Sequence, residues 1–272
     1  MFGKLLKYDF RSMFKQFAFI WPAALALALV NHFTINSFVT SASETRQTFS
    51  GIAMVVYIAI LIAMFIIALV FACQRFYKGL LGDEGYLMFT LPVKPWQLIG
   101  SKLLCAVVTT FLSVVVALLS VLLLLPWEKD VIQGIFEGIR YIFTHWSIHV
   151  THGLIGLLEF CLMIMMSFAV GYLQIYLSLG IGHLFNKHRA LMTGVAFIGI
   201  NAVVSSLLGR FLGPAVDMIT ENINNITNAA ARFQSAMWIA IVSELVLCAV
   251  YFAGTEFILR KTLNLEYRRT VT

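Results

Sequence analysis

The chain has 272 residues, of which 60% are hydrophobic and 12% carry a charge, and its net charge is +6. Soluble domains are nearer to half apolar and a quarter charged, so this composition excludes an ordinary soluble protein and favours a protein embedded in lipid. The basic residues flank apolar segments instead of forming one patch, which argues against a nucleic-acid partner. The four cysteines all fall inside apolar segments and are typical of small buried residues.

Residues 1–15 have an amphipathic pattern with helical period. Apolar side chains share one face and basic side chains share the other. A basic helix with this pattern is typical of the membrane interface, so we predict an elbow helix that leads into the first span. A signal peptide is the alternative, but the basic part is long and the apolar run continues past the candidate cleavage site at residues 24–26. The basic face consists of Lys4, Lys7, Arg11 and Lys15.

Six apolar segments are each long enough to cross about 30 Å of hydrocarbon, which takes about 20 helical residues. They cover residues 17–38, 52–73, 98–125, 153–181, 190–211 and 236–259. The sequence therefore predicts an all-α membrane protein with a single transmembrane domain over residues 1–272.

The distribution of Lys and Arg predicts the orientation. With a cytoplasmic N-terminus, 14 of the 19 basic side chains lie inside and five lie outside. Because inner loops carry the excess of Lys and Arg, both termini are predicted to be cytoplasmic.

Two outer segments, residues 126–152 and 212–235, are too long for simple turns. Each places apolar residues on one helical face, which predicts amphipathic helices at the outer leaflet. They either cap the bundle or gate a substrate path. His145, His149 and His152 share a helical face in the first segment, which could suit zinc, but no Cys, Asp or Glu close in sequence completes a site, so we predict no metal.

The inner loop at residues 74–97 is the longest polar interruption that carries several basic residues. Asp83 can cap a short helix that starts at Glu84, and Pro92 ends that helix. Its exposed face could dock in a groove of a partner, or it could rest on lipid head groups. The candidate contact residues are Asp83, Glu84, Gly85, Tyr86, Leu87, Phe89 and Thr90.

The same loop carries a resemblance. The order Gly-Asp-Glu-Gly, short apolar helix, Leu-Pro-Val, Trp-Gln-Leu-Ile and Ser-Lys-Leu-Leu, within residues 82–104, resembles the ABC-2 type permease subunits of ATP-driven exporters. The resemblance implies that the loop is a coupling element seated on an ABC ATPase subunit. It also implies a second permease copy or a sister permease, and a bacterial cell membrane. Compact members of this family include exporters of amphipathic or antimicrobial peptides, among them those of the phenol-soluble modulin type.

The sequence contains no G-x-x-x-x-G-K-[ST] motif, so ATP and Mg²⁺ are expected in the partner subunit and no cofactor in this chain. Signatures of membrane proteases and hydrolases are also absent, and we predict no enzyme activity.

Three acids fall within the spans. A carboxylate there costs about 2.5–3.5 kcal/mol and needs a partner or a cavity. Glu256 lies four residues before Arg260, a favourable helical pair. Glu159 and Glu244 either pair structurally, with Arg210 as one candidate partner, or line a translocation path.

The predicted function is export of a hydrophobic or amphipathic compound, best matched by a peptide, by a permease subunit coupled to a separate ATPase. Two alternatives stay open: an ATP-independent transporter or channel, and a structural or sensory membrane subunit that transports nothing.

Overall fold

The computed structural model describes most of the chain, and statements below refer to this part. The described residues are 2–39, 44–81, 94–125, 133–134, 136–138, 140, 153–185, 188–207, 209–210, 221 and 229–271.

The described residues form long helices and no strand. Six helices are long and apolar enough to cross a membrane, which confirms the predicted all-α class and the six spans. A five-residue π-helical segment, Tyr77–Leu81, follows the second helix. The helices are α1 Phe2–Val39, α2 Glu44–Phe76, α3 Pro95–Leu124, α4 Gly153–His183, α5 Arg189–Leu207 and α6 Ala229–Val271.

The first helix joins the predicted elbow and the first span without a break. Its four basic side chains at positions 4, 7, 11 and 15 are exposed, as the pattern predicts, and Pro22 lies inside the helix. At 1.5 Å per residue, its 38 residues extend about 57 Å, well beyond the hydrocarbon thickness. A separate elbow lying in the interface stays a prediction.

The last helix also runs past its predicted ends. It begins at Ala229, inside the predicted outer segment 212–235, and continues to Val271. The eleven residues after Arg260 therefore extend α6 by about 16 Å as continuous helix.

The chain divides into two compact units. Unit 1 comprises Met1–Ala72 and Leu104–Tyr141, and unit 2 comprises Cys73–Leu103 and Ile142–Thr272.

Unit 1 packs around a buried cluster of Phe17, Met64 and Ala68, which brings α1 onto α2. Phe17 also lies edge-on to Phe71, with ring centroids 6.4 Å apart. Because Phe17 meets residues late in α2 and Asn31 meets Ala53 early in it, α1 and α2 run antiparallel.

Neutral hydrogen bonds also join the helices of unit 1. Trp21 Nε1 of α1 donates to Ser113 Oγ of α3 at 3.1 Å. The hydroxyls of Tyr57 and Ser120 join α2 to α3 at 2.8 Å. Within hydrocarbon such bonds satisfy groups that would otherwise be left without water.

In unit 2, α4 packs against both α5 and α6. The end of α4 approaches the start of α5 so closely that a Cβ on Gly182 would lie 2.9 Å from the Thr193 backbone nitrogen. Only glycine allows this approach without a backbone shift.

The helices α4 and α6 run parallel. Glu159 meets Gln234 and Ser167 meets Glu244, so contacts advance together along both helices. Further along, a Cβ on Gly254 would lie 3.1 Å from a methyl of Leu177. In a chain that crosses the membrane in alternating directions, α4 and α6 would point the same way because one helix, α5, lies between them in sequence. The observed parallel arrangement agrees with this.

Candidate functional site

Two parts of unit 2 bear on function: the base of the inner loop, and the contact line between α4 and α6. At the base of the loop, Phe76 at the end of α2 stacks on Tyr176 of α4. The ring centroids are 4.0 Å apart and the rings are inclined by 6°. Both side chains are fully buried. This aromatic pair fixes the last turn before the π-helical segment onto α4.

The π-helical segment carries a second contact. Gly79 and Leu80 in it are buried. Lys102 of α3 is also buried, at 6% exposure, and a Cβ on Gly79 would lie 2.7 Å from its ammonium nitrogen. A lysine is rarely buried to this extent, and π-helical turns occur frequently at functional sites. Glycine at position 79 therefore leaves the space that the Lys102 side chain takes.

Further polar and aromatic contacts lie between the π-helical segment and the α4–α5 turn. The rings of Tyr77 and His183 lie 6.0 Å apart. The Arg189 guanidinium lies 3.4 Å from His183 Nε2. We call Phe76, Tyr77, Gly79, Lys102, Tyr176 and His183 the loop base.

The predicted coupling residues themselves, from Asp83 to Thr90, lie outside the described residues. The same is true of the three histidines considered for zinc and of most of the two outer segments. Their predicted roles stay predictions.

The two deep acids meet neutral partners. Gln234 of α6 donates a hydrogen bond from Nε2 to Glu159 of α4. Ser167 of α4 donates from Oγ to the Oε1 of Glu244 on α6. The second carboxylate oxygen of Glu244 is buried and has no hydrogen-bond partner in the structure. The α4–α6 contact line is thus polar at two levels, and we call it the polar seam.

Arg210, proposed as a partner of these acids, is exposed. Within the described residues no ion pair joins Arg210 to Glu159 or Glu244. In contrast, Glu256 accepts a hydrogen bond from Arg260 at 2.6 Å, which confirms the predicted pair.

Sequence reasoning missed several buried polar side chains, among them Asp9, Asn31 and Lys102. Asp9 is 2% exposed, although the helical pattern placed only apolar residues on the inward face of α1. Asp9 lies four residues before buried Met13, which lies four residues before buried Phe17. This helical spacing was the available signal. Asn31 lies late in the first predicted span, and it is fully buried. Lys102 was counted only as an inner topology charge.

No family model, no curated protein and no solved structure matches this chain.

Proposed function

We propose that this chain is the permease subunit of an ATP-driven exporter of the ABC-2 type in a bacterial cell membrane, with both termini in the cytoplasm. It moves a hydrophobic or amphipathic compound, best matched by a peptide, out of the cell. A separate ABC ATPase subunit binds ATP and Mg²⁺ and supplies the energy.

The observation that supports this proposal most is the loop base. A loop that transmits force from an ATPase must be attached firmly to the spans, because a loosely tethered loop would move without moving them. The stacked rings of Phe76 and Tyr176 attach the start of the loop to α4, and the buried Lys102 against Gly79 holds the two ends of the loop together.

The fifth helix supports the expected second permease copy or sister permease. No described residue of α5 is buried, although the helix carries polar groups. The Asn201 side chain is exposed and donates to the Phe197 carbonyl of its own helix at 3.0 Å. Asparagine in a span often forms hydrogen bonds with a neighbouring helix, so a second protein subunit suits this face better than lipid does.

The test is reconstitution of the chain with its ATPase in vesicles. Candidate ATPases are those that copurify with the chain. We expect Glu84→Lys and Tyr86→Ala to leave the spans folded and to abolish stimulation of ATP hydrolysis by transported peptide. Glu221→Lys is the matched charge reversal, at an exposed position in the predicted outer segment. It should leave stimulation unchanged.

Normal coupling in both loop variants would contradict the proposal. So would labelling of residues 82–93 from outside intact cells, since the loop must then face away from any ATPase.

The polar seam favours a second candidate, an ATP-independent transporter that couples to an ion. Glu244 carries a buried oxygen without a partner, as an ion-binding carboxylate would before loading. This candidate predicts ion-dependent flux through the chain reconstituted alone. The ABC-2 proposal predicts no flux until the ATPase is added.

A further inference from the structure

The polar seam extends along α4 and α6 over two hydrogen-bonded levels. Along α4, Glu159 and Ser167 are eight residues apart, and along α6, Gln234 and Glu244 are ten residues apart. At 1.5 Å per residue, the two hydrogen-bonded levels are separated by about 12–15 Å. With the predicted topology, the Glu159 level lies towards the outer surface and the Glu244 level lies deeper.

Glu244 has unused capacity to accept hydrogen bonds. An ionised carboxylate offers about four acceptor positions on two oxygens. Ser167 supplies one donor to Oε1, and Oε2 is buried with no donor at all. An unsatisfied buried acceptor costs about 1–3 kcal/mol, and a charged one costs more. This oxygen therefore has room to accept a donor from a ligand.

Glu256, on the same helix as Glu244, differs from it in having a charged partner. Glu256 has a guanidinium donor from Arg260 at 2.6 Å. For Glu244 no Lys, Arg or His partner occurs in the described part of the chain. Of the two acids within the α6 span, Glu256 is therefore neutralised by a basic side chain of the chain, and Glu244 is not.

A second unsatisfied group lies on the partner helix α4. Gln174 is seven residues after Ser167 on α4, which places both on one face about 10 Å apart. Its Nε2 is buried and has no acceptor. The seam thus offers an unfilled acceptor at Glu244 and an unfilled donor at Gln174.

The Glu244 level also opens at the surface of the chain, since Ser167 is exposed. Ser167 lies sixteen residues before His183 on α4, and Glu244 lies sixteen residues before Arg260 on α6. This level is therefore about 24 Å from the inner ends of both spans. A carboxylate without a charged partner at that depth is unfavourable by about 2.5–3.5 kcal/mol. A cation that docks there removes most of this cost.

We propose that the polar seam binds an organic ammonium group at Glu244, with Ser167 holding the carboxylate and Gln174 donating to a carbonyl of the same ligand. This inference rests on the proposed function and narrows it, since it makes the transported compound a cationic amphiphile, such as a lysine-bearing peptide.

The experiment measures binding to the purified chain without any ATPase. The chain is placed in lipid nanodiscs of phosphatidylcholine and titrated with dansylcadaverine, a fluorescent primary amine. Its N-acetylated form serves as the neutral control. Fluorescence anisotropy then reports affinity for the ammonium group alone. We expect saturable binding of the amine and at least tenfold weaker binding of the acetylated probe.

Variants then locate the site. Glu244→Gln should weaken amine binding at least tenfold, and Glu159→Gln should weaken it less. Glu256→Gln is the matched control on α6 and should bind as the wild type does, because Arg260 already neutralises that acid. Equal affinity in wild type and Glu244→Gln, or equal binding of the two probes, would overturn the proposal.

A chemical measurement on the wild-type chain covers the case in which Glu244→Gln does not fold. A hydrophobic carbodiimide modifies carboxyl groups within membranes, and mass spectrometry locates the modified residue. Dansylcadaverine should lower the yield of the carbodiimide adduct at Glu244, either by protecting the carboxylate or by displacing the urea to form an amide with it, whereas the acetylated probe should do neither. An unchanged adduct yield with no amide at Glu244 contradicts the proposal.

The ammonium could belong to the transported compound or to a phosphatidylethanolamine head group. Nanodiscs that contain phosphatidylethanolamine distinguish these sources. Weaker probe binding in those discs assigns the site to the lipid, and unchanged binding assigns it to the transported compound. Because no ATPase is present, loss of ATP coupling in the earlier experiment and loss of amine binding here are separate results.

Discussion

The hydrogen bonds between helices differ in kind between unit 1 and unit 2. The interhelical hydrogen bonds described in unit 1 join neutral groups, such as Trp21 with Ser113 and Tyr57 with Ser120. They lie beside a tightly buried apolar cluster. In unit 2, the polar seam contains two acids, and the Glu244 level is open at the surface of the chain.

This difference separates groups that stabilise the bundle from groups available for function. A neutral, satisfied bond between two helices contributes a modest amount to stability, on average about 0.6 kcal/mol in a membrane protein. An acid with a free buried oxygen stabilises nothing by itself, and its presence needs another reason. This contrast is the reason for proposing the polar seam and the loop base of unit 2, and not the neutral contacts of unit 1, as the functional parts.

The largest expected effect tests the scaffold role of unit 1. Phe17→Ala removes a fully buried ring that packs on Met64, Ala68 and Phe71. We expect a loss of about 3–5 kcal/mol in unfolding free energy, because the cavity cannot fill from neighbouring helices. Unfolding in mixed detergent micelles, followed by circular dichroism, measures it.

Phe19→Ala is the matched control. Phe19 lies two residues away on the same helix, and its side chain is 82% exposed. Its truncation should change the unfolding free energy by well under 1 kcal/mol. Equal losses for the two phenylalanines would show that the cluster around Phe17 is not a core.

A smaller effect is expected where α4 meets α5 in unit 2. Gly182→Ala places a Cβ within 2.9 Å of the Thr193 backbone, so the two helix ends must separate. We expect destabilisation by about 1–3 kcal/mol, the usual cost of overpacking. Thermal unfolding in detergent would detect this shift.

The control is Gly194→Ala in the same hairpin, where nothing lies within 4 Å of the added Cβ. Replacing a helical glycine by alanine in open space should be neutral or slightly stabilising. If Gly182→Ala were also neutral, the close approach of α4 and α5 would not hold in the membrane.

The sequence predicts the six spans but not the partners of the acidic residues within them. The spans depend on local composition, whereas the partners depend on contacts between helices far apart in sequence. A span of about twenty apolar residues is a local property, so the six spans and the Glu256–Arg260 pair could be read directly from spacing. The partners of Glu159 and Glu244 lie more than 70 residues away in sequence, on another helix. Their identity depends on the register between α4 and α6, which no local pattern contains.

The buried Lys102 illustrates the same limit. Its place near an inner loop made it a normal topology charge by position. Its burial depends on Gly79, which is 23 residues earlier and lies in a π-helical turn. Likewise, the continuous α1 shows that a change from basic amphipathic to apolar pattern need not mark a break in the helix.

The smallest expected effect concerns Glu256, and it sharpens the contrast with Glu244. Glu256→Gln removes one partner of an i, i+4 pair whose arginine side chain is 64% exposed. Exposed helical pairs of this kind contribute about 0.3–0.5 kcal/mol, so unfolding should change by no more than that. High salt should reduce the effect further, since it screens exposed charges. A salt series of thermal unfolding curves for wild type and Glu256→Gln is the measurement.

If the substitution instead costs more than about 2 kcal/mol at every salt concentration, this pair behaves as a buried one, and a paired acid in α6 would then contribute as much as the scaffold contacts of unit 1. A small, salt-dependent effect leaves Glu244 as the acid of α6 whose charge has no partner within the described chain, which is the condition for a ligand to supply one.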